Sequence, residues 1–257
     1  MRGTVASRIV PEPAEKERCI FARLAARWEA ATTKAILLDA GNTLLHLDYA
    51  WLAAAAQGLG CTIREEGVGV AAAGVGRRGW PAPLIDDRPT AFFPGYFGAI
   101  GEAIGLARDA AAQFAAAAER EHLRDPRGLW RIPAPEAAAV LEELAARGIM
   151  LGVVSNSDGR VEQQLTAAGL RAPLRVVVDS YLVGVEKPDP RIFRIALDLL
   201  EVDAAEAWYV GDLLQVDVKG AQSAGMAALL YDPWDAYPEL ATGRIQALAE
   251  LLRLPPL

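Results

Sequence analysis

Lys34-Ala35-Ile36-Leu37-Leu38-Asp39-Ala40-Gly41-Asn42-Thr43 joins a short apolar run to turn-forming residues that open with a carboxylate. An apolar run of this length, bounded by turn residues, fits a strand buried on both faces of a sheet. The same grammar returns downstream. Ile149–Val154 runs into Ser155-Asn156-Ser157-Asp158-Gly159, Leu174–Val178 into Asp179-Ser180, and Ala207–Val210 into Gly211-Asp212. Ala227–Tyr231 reads as a further strand. Helical patterns alternate with these runs at 136–147, 161–168, 190–201, 216–224 and 244–252. Gly148, Gly169 and Gly225 close three of them, and Pro190 opens one. Alternation of this kind implies a parallel sheet with helices on both faces, an α/β fold.

Between about 47 and 132 the texture changes. Alanine-rich helical stretches occupy 49–58, 98–106 and 109–123, and a glycine- and proline-rich connector fills 67–95. The block has no lysine and reads as a helical insert without strands. The chain therefore divides into an N-terminal extension, 1–33, an α/β core, 34–46 and 133–257, and an inserted helical unit, 47–132.

The chain has 257 residues and a formal charge of −7, so no basic surplus marks a nucleic-acid footprint. No apolar run approaches the ~18 residues of a membrane span. The charged residues Arg8, Glu12, Glu15, Lys16 and Glu17 stand where a signal peptide needs an apolar stretch. Cys19 and Cys61 form no C-x-x-C pair, and His46 and His122 make no zinc motif. The expected setting is the cytoplasm. The oligomeric state is open.

In an open parallel sheet, ligands bind beyond the carboxyl ends of the strands. Asp39, Ser155 and Asp212 occupy those ends, and Lys187 lies in the loop after the third run. It is one of only four lysines, which raises its interest. Asp217 follows Asp212 at the start of a helix. Acids on neighbouring strands form a hard-oxygen site suited to Mg2+, and a lysine and a serine hydroxyl suit a phosphate.

The order Asp39-x-x-x-Thr43, Ser155-Asn156, Lys187-Pro188-Asp189 and Gly211-Asp212-x-x-x-x-Asp217 resembles the haloacid dehalogenase (HAD) superfamily over residues 34–235. The resemblance implies a Rossmann-like core with a helical cap inserted after the first motif. It implies Asp39 as nucleophile and Asp39, the Gly41 carbonyl, Asp212 and Asp217 as ligands of Mg2+. Thr43, Ser155, Asn156 and Lys187 would bind the transferring group of a small, phosphorylated substrate, with Lys187 also holding the nucleophile.

Gly41 departs from the pattern of the phosphatase members, which carry there a second aspartate as general acid and base. His46 and Asp48 are nearby substitutes, although both also read as exposed polar residues of the linker. Three functions stay open: a magnesium-dependent phosphohydrolase, a carbon–halogen hydrolase, and a phospho-ligand binder without turnover. Gly74-x-Gly76-x-x-Gly79 spells a dinucleotide fingerprint, but Trp80, Pro81 and Pro83 follow where a helix must open. Arg77, Arg78, Trp80, Phe92, Phe93 and Tyr96 lie in the insert, with substrate contact and packing both open.

Overall fold

The computed structural model describes residues 33–78, 92–240 and 243–253. The expected N-terminal extension up to residue 32, Trp80, and the side chains of Phe92 and Phe93 lie outside the described residues. Strand β1 (Ala35–Leu38) is fully buried. Its two-residue period sends Ile36 and Leu38 into one apolar cluster and Ala35 and Leu37 into a second, on the opposite face. β1 lies inside a parallel six-stranded sheet of order β5-β4-β1-β6-β7-β8. The other strands are β4 (Met150–Ser155), β5 (Leu174–Asp179), β6 (Ala207–Gly211), β7 (Ala227–Tyr231) and β8 (Arg244–Ile245), of which β4 and β6 pair with β1. The Rossmann-like α/β core expected from sequence is the one observed.

Helices cover both faces. Helix α5 (Ala137–Ala146) and helix α6 (Val161–Ala167) pack into the Ile36 cluster. Helix α8 (Pro190–Leu200) packs into the Leu37 cluster through Ile192, Phe193, Ala196, Leu197 and Leu200, one stripe of a 3.6-residue period. Asp189 caps it by accepting the Arg191 N–H at 2.9 Å. Short helices α7 (Ser180–Val183) and α9 (Lys219–Ser223) complete this part.

A third apolar cluster belongs to the insert. It gathers Leu52, Val68, Phe97, Ile100 and Phe114 from α1 (Tyr49–Gln57), α2 (Glu65–Arg77), α3 (Phe92–Ala103) and α4 (Arg108–Arg124). Two elements here were not expected. β2 (Leu45–Leu47) and β3 (Trp130–Pro133) pair antiparallel where the chain leaves and re-enters the core. Strands of 3 and 4 residues are too short to advertise themselves by alternation. Residues 67–77, read as part of a glycine-rich connector, belong to helix α2. Its glycines serve close approach: a Cβ on Gly69 would lie 2.4 Å from Trp234, and one on Gly76 2.9 Å from Leu213. The apparent dinucleotide fingerprint thus begins inside a helix packed on the core.

Two other expectations are corrected. Residues 244–252 are not one helix. Arg244–Ile245 add the edge strand β8, and a 3-10 turn spans Leu248–Arg253. Residues 216–224 open as a wide π turn, Leu214–Val218, before α9 begins.

Candidate functional site

After β1 the chain adds β4 and β5 on one side and then returns to place β6 on the other. This reversal opens a crevice at the strand ends beside β1. A cavity of about 390 Å³ occupies it, a size typical of small-molecule sites. Asp39, Gly41, Ser155, Asn156, Lys187, Asp212 and Asp217 all line it. Residues separated by up to 178 positions therefore meet in one place.

Lys187 is the centre of the arrangement. Its ammonium has three protons, and three acceptors surround it. Nζ donates to Asp39 Oδ1 at 2.6 Å, to Asp217 Oδ1 at 2.6 Å and to the Tyr209 hydroxyl at 3.0 Å. Tyr209 donates its own proton to the Val154 carbonyl at 2.8 Å, one residue before Ser155. The Phe193 ring packs edge-on against Tyr209 at 4.9 Å and fixes it. All four groups of this knot are buried. Burial alone would push the Lys187 amine down, but Asp217 and Asp39 outweigh it and hold the amine above its ordinary value.

Asn156 holds Lys187 from the backbone side. Its Oδ1 accepts the Lys187 N–H at 2.8 Å, and its Nδ2 donates to the Lys187 carbonyl at 3.0 Å. The side-chain amide expected to meet a phosphate is thus paired with the lysine loop. Asp179, at the end of β5, pins the loop after Ser155 by accepting from the N–H groups of Gly159, Val161 and Tyr181.

Asp39, Asp212 and Asp217 each present a carboxylate oxygen within 4.8 Å of the other two. The wide turn lets Asp217 fold back, where its Oδ2 accepts the Leu213 N–H at 2.9 Å. Gly211 makes room for it, since a Cβ there would lie 2.5 Å from the Asp217 carboxylate carbon. Burial pushes the Asp39 carboxyl up to about 6, with Lys187 opposing and Asp217 adding to the shift. Asp212 is pushed well above its ordinary range by desolvation and by the Asp217 and Asp39 charges. Three acids facing one lysine leave surplus negative charge on hard oxygen donors, which fits a divalent cation such as Mg2+.

Other expected residues fall elsewhere. Thr43 is fully buried, its Oγ1 has no hydrogen-bond partner among the described residues, and it does not line the cavity. Asn42, in the left-handed region at φ 57°, takes the cavity position and turns the next side chain inward. Asn42 Oδ1 accepts from Trp130 Nε1 at 3.2 Å, and the same side chain hydrogen-bonds Asp212. His46 is buried against Tyr231, off the cavity, and burial lowers its imidazole to about 4. Asp48 caps α1 through the Trp51 N–H and pairs with Arg131 at 2.7 Å. Neither is the exposed linker residue that was expected, and neither reaches the cavity where Gly41 lacks a side chain. Arg77 and Tyr96 of the insert do line it.

Sequence reading missed Tyr209, Asn42 and Trp130. Tyr209 is indistinguishable from a core residue within Ala207–Gly211. Asn42 carried one faint signal, the tolerance of asparagine for positive φ.

A family model described as haloacid dehalogenase-like hydrolase matches residues 33–225. "Haloacid dehalogenase-like hydrolase domain-containing protein 3" of Bos taurus is 45% identical over 94 residues, 37% of this chain and 38% of that protein. "Phosphoserine phosphatase" of Thermus thermophilus is 39% identical over 160 residues, 59% of this chain and 62% of that protein. The chain thus spans less than two thirds of the length of these curated relatives. Among solved structures, 2-haloacid dehalogenase from Pseudomonas syringae pv. Tomato DC3000 superposes with a TM-score of 0.51 at 27% identity, covering 86% of this chain and 97% of that one.

Proposed function

Because the chain belongs to the haloacid dehalogenase-like hydrolases, we propose that it is a magnesium-dependent phosphomonoester hydrolase working through an aspartyl-phosphate at Asp39. Its substrate on this reading is a small phosphorylated molecule. The observation that carries it is the cluster of Asp39, Asp212 and Asp217 around one saturated lysine. A carbon–halogen hydrolase using Asp39 has no need of the two further acids. The phosphatase named among the relatives supports the same choice.

Asp39, Asp212 and Asp217, with the Gly41 carbonyl, would hold Mg2+. Bound there, the ion supplies Lewis-acid neutralisation of phosphoryl oxygens. The remaining work falls to the chain. Asp39 attacks phosphorus, the ester bond breaks and its electron pair leaves on the substrate oxygen. Lys187 orients the attacking carboxylate and offsets charge on the phosphoryl oxygens. The Ser155 hydroxyl, at the cavity wall, binds the transferring group. Asn156 and Tyr209 act on Lys187 as positioning residues. Water then cleaves the phosphoryl–Asp39 bond and releases phosphate. The insert, residues 47–132, acts as the cap over a core of 34–46 and 133–257, a division that its separate apolar cluster supports.

Gly41 and the likeness to a 2-haloacid dehalogenase favour one second reading, halide displacement by the same Asp39. Two product assays separate them. Phosphate release from para-nitrophenyl phosphate with magnesium, abolished by EDTA, is expected. Chloride release from 2-chloropropionate that persists in EDTA, without phosphate release, would reverse the choice.

A further inference from the structure

Gly41 removes more than an acid. A Cβ at this position would lie 3.4 Å from Cδ1 and Nε1 of Trp130 and 4.0 Å from Asp39 Oδ2. The indole edge therefore lies in contact distance of the place where the stem of an acid would begin, beside the nucleophile. Trp130 is held there. Its Nε1 donates to Asn42, and its face stacks on Tyr96 at 5.9 Å and 23°. Both rings line the cavity.

Acidic side chains outnumber basic ones on the wall of the same cavity, although Asp158 is paired with Arg160 at 2.6 Å. Among the described residues, Lys187 and Arg77 are the only lysine or arginine on its wall, against Asp39, Asp158, Glu186, Asp212 and Asp217. Lys187 has no proton left to offer. Arg77 donates to the Ala236 carbonyl and pairs with Glu239 at 3.0 Å. His122 accepts the Leu129 N–H on Nδ1 at 3.0 Å and faces Asp158 with Nε2 at 3.2 Å. Among the described residues, a second anionic group on the substrate, such as a carboxylate, would find no uncommitted lysine or arginine on this wall. An uncharged flat group would meet Trp130 and Tyr96.

We infer that this site is built for aryl phosphates, esters of a flat, uncharged group whose oxygen leaves without being protonated. The inference rests on the phosphatase reading and names its substrate class. In the first step the Asp39–phosphorus bond forms and the phosphorus–oxygen ester bond breaks. The electron pair departs on a phenolate, which takes a proton from water afterwards. An alkoxide is far too basic to leave this way, and the general acid that would rescue it is worth ~10²–10⁴-fold.

The test has two arms on the full chain with magnesium. In the first, kcat/KM is measured for para-nitrophenyl, phenyl and methyl phosphate and for phosphoserine and phosphoglycolate. The expected order falls steeply with leaving-group basicity, with the three alkyl esters at least about 10²-fold below phenyl phosphate. In the second, calorimetry compares phenylphosphonate with methylphosphonate, which cannot turn over. Phenylphosphonate should bind more tightly. Trp130→Ala should erase about 3–10-fold of that preference, the scale of an aromatic contact, and Trp130→Phe should keep most of it. If Trp130→Ala does not fold, Tyr96→Leu reads the same ring face. Phosphoserine or phosphoglycolate turned over within tenfold of phenyl phosphate would overturn the inference and leave the phosphatase reading standing. So would equal binding of the two phosphonates. Phosphate release from none of the esters would overturn the phosphatase reading and this inference with it.

Discussion

Lys187→Met is expected to abolish turnover and to lower the melting temperature by roughly 10 °C or more. The wild-type ammonium lies between Asp39 and Asp217, 2.6 Å from each, with both carboxylates buried. Removing one partner of a buried charge pair typically costs about 3–5 kcal/mol, because the other charges stay behind without compensation. Here three clustered carboxylates stay behind. For a domain of this size each kcal/mol moves the melting temperature by about 2–4 °C. Methionine fills similar volume, so packing loss contributes little. Magnesium should restore part of the lost stability, since a divalent cation supplies the missing positive charge to the same acids. Calorimetry with and without magnesium checks both points. A variant as stable as wild type, with no response to magnesium, would mean that Lys187 does not balance this cluster.

Asp39→Asn should give the opposite pairing of effects: phosphate release falls by at least about 10⁴-fold, the scale of losing a nucleophile, while stability at neutral pH holds or rises. Burial is the reason for the second part. It raises the Asp39 carboxyl from 3.8 to about 6, so the folded protein binds that proton more tightly than the unfolded chain does. A group shifted in this direction makes the fold more stable as pH falls through about 6 toward the unfolded value, and less stable as pH rises. Asparagine has no proton to gain. The wild-type protein should therefore gain melting temperature between pH 7 and pH 5 by an amount that Asp39→Asn lacks, measured in metal-free buffer. Equal pH dependence in the two proteins would place the titration on another group. Full phosphate release by Asp39→Asn would remove this residue as nucleophile.

The legible part of the molecule is the part written in strong local contrasts. Asp39, Ser155 and Asp212 each follow an uninterrupted apolar run, and the end of a buried parallel strand is where a ligand can be reached. Lys187 stands out because lysine is scarce in this chain. The parallel sheet with helices on both faces follows from the same contrasts, whereas the order of its strands comes only from the structure.

What escaped depends on contacts between distant segments. Tyr209 looks like core because it is core, and only the fold brings its hydroxyl to a lysine 22 residues away. Trp130 lies 88 residues from its partner Asn42. Helix α2 was hidden by glycines that weaken helical propensity but admit Trp234 and Leu213. Thr43 was assigned to substrate by its place in a motif, whereas the turn at Asn42 buries it.

The central claim is a covalent phosphoryl group on Asp39, and the most direct measurement is its capture. The wild-type protein is mixed with magnesium and excess para-nitrophenyl phosphate, quenched in acid within the first turnover, digested and read by mass spectrometry. A phosphoryl group on the peptide containing Asp39, absent with EDTA, is the expected result. Rapid phosphate release with no phosphorylated peptide at any quench time, or with the label on another residue, would contradict the account.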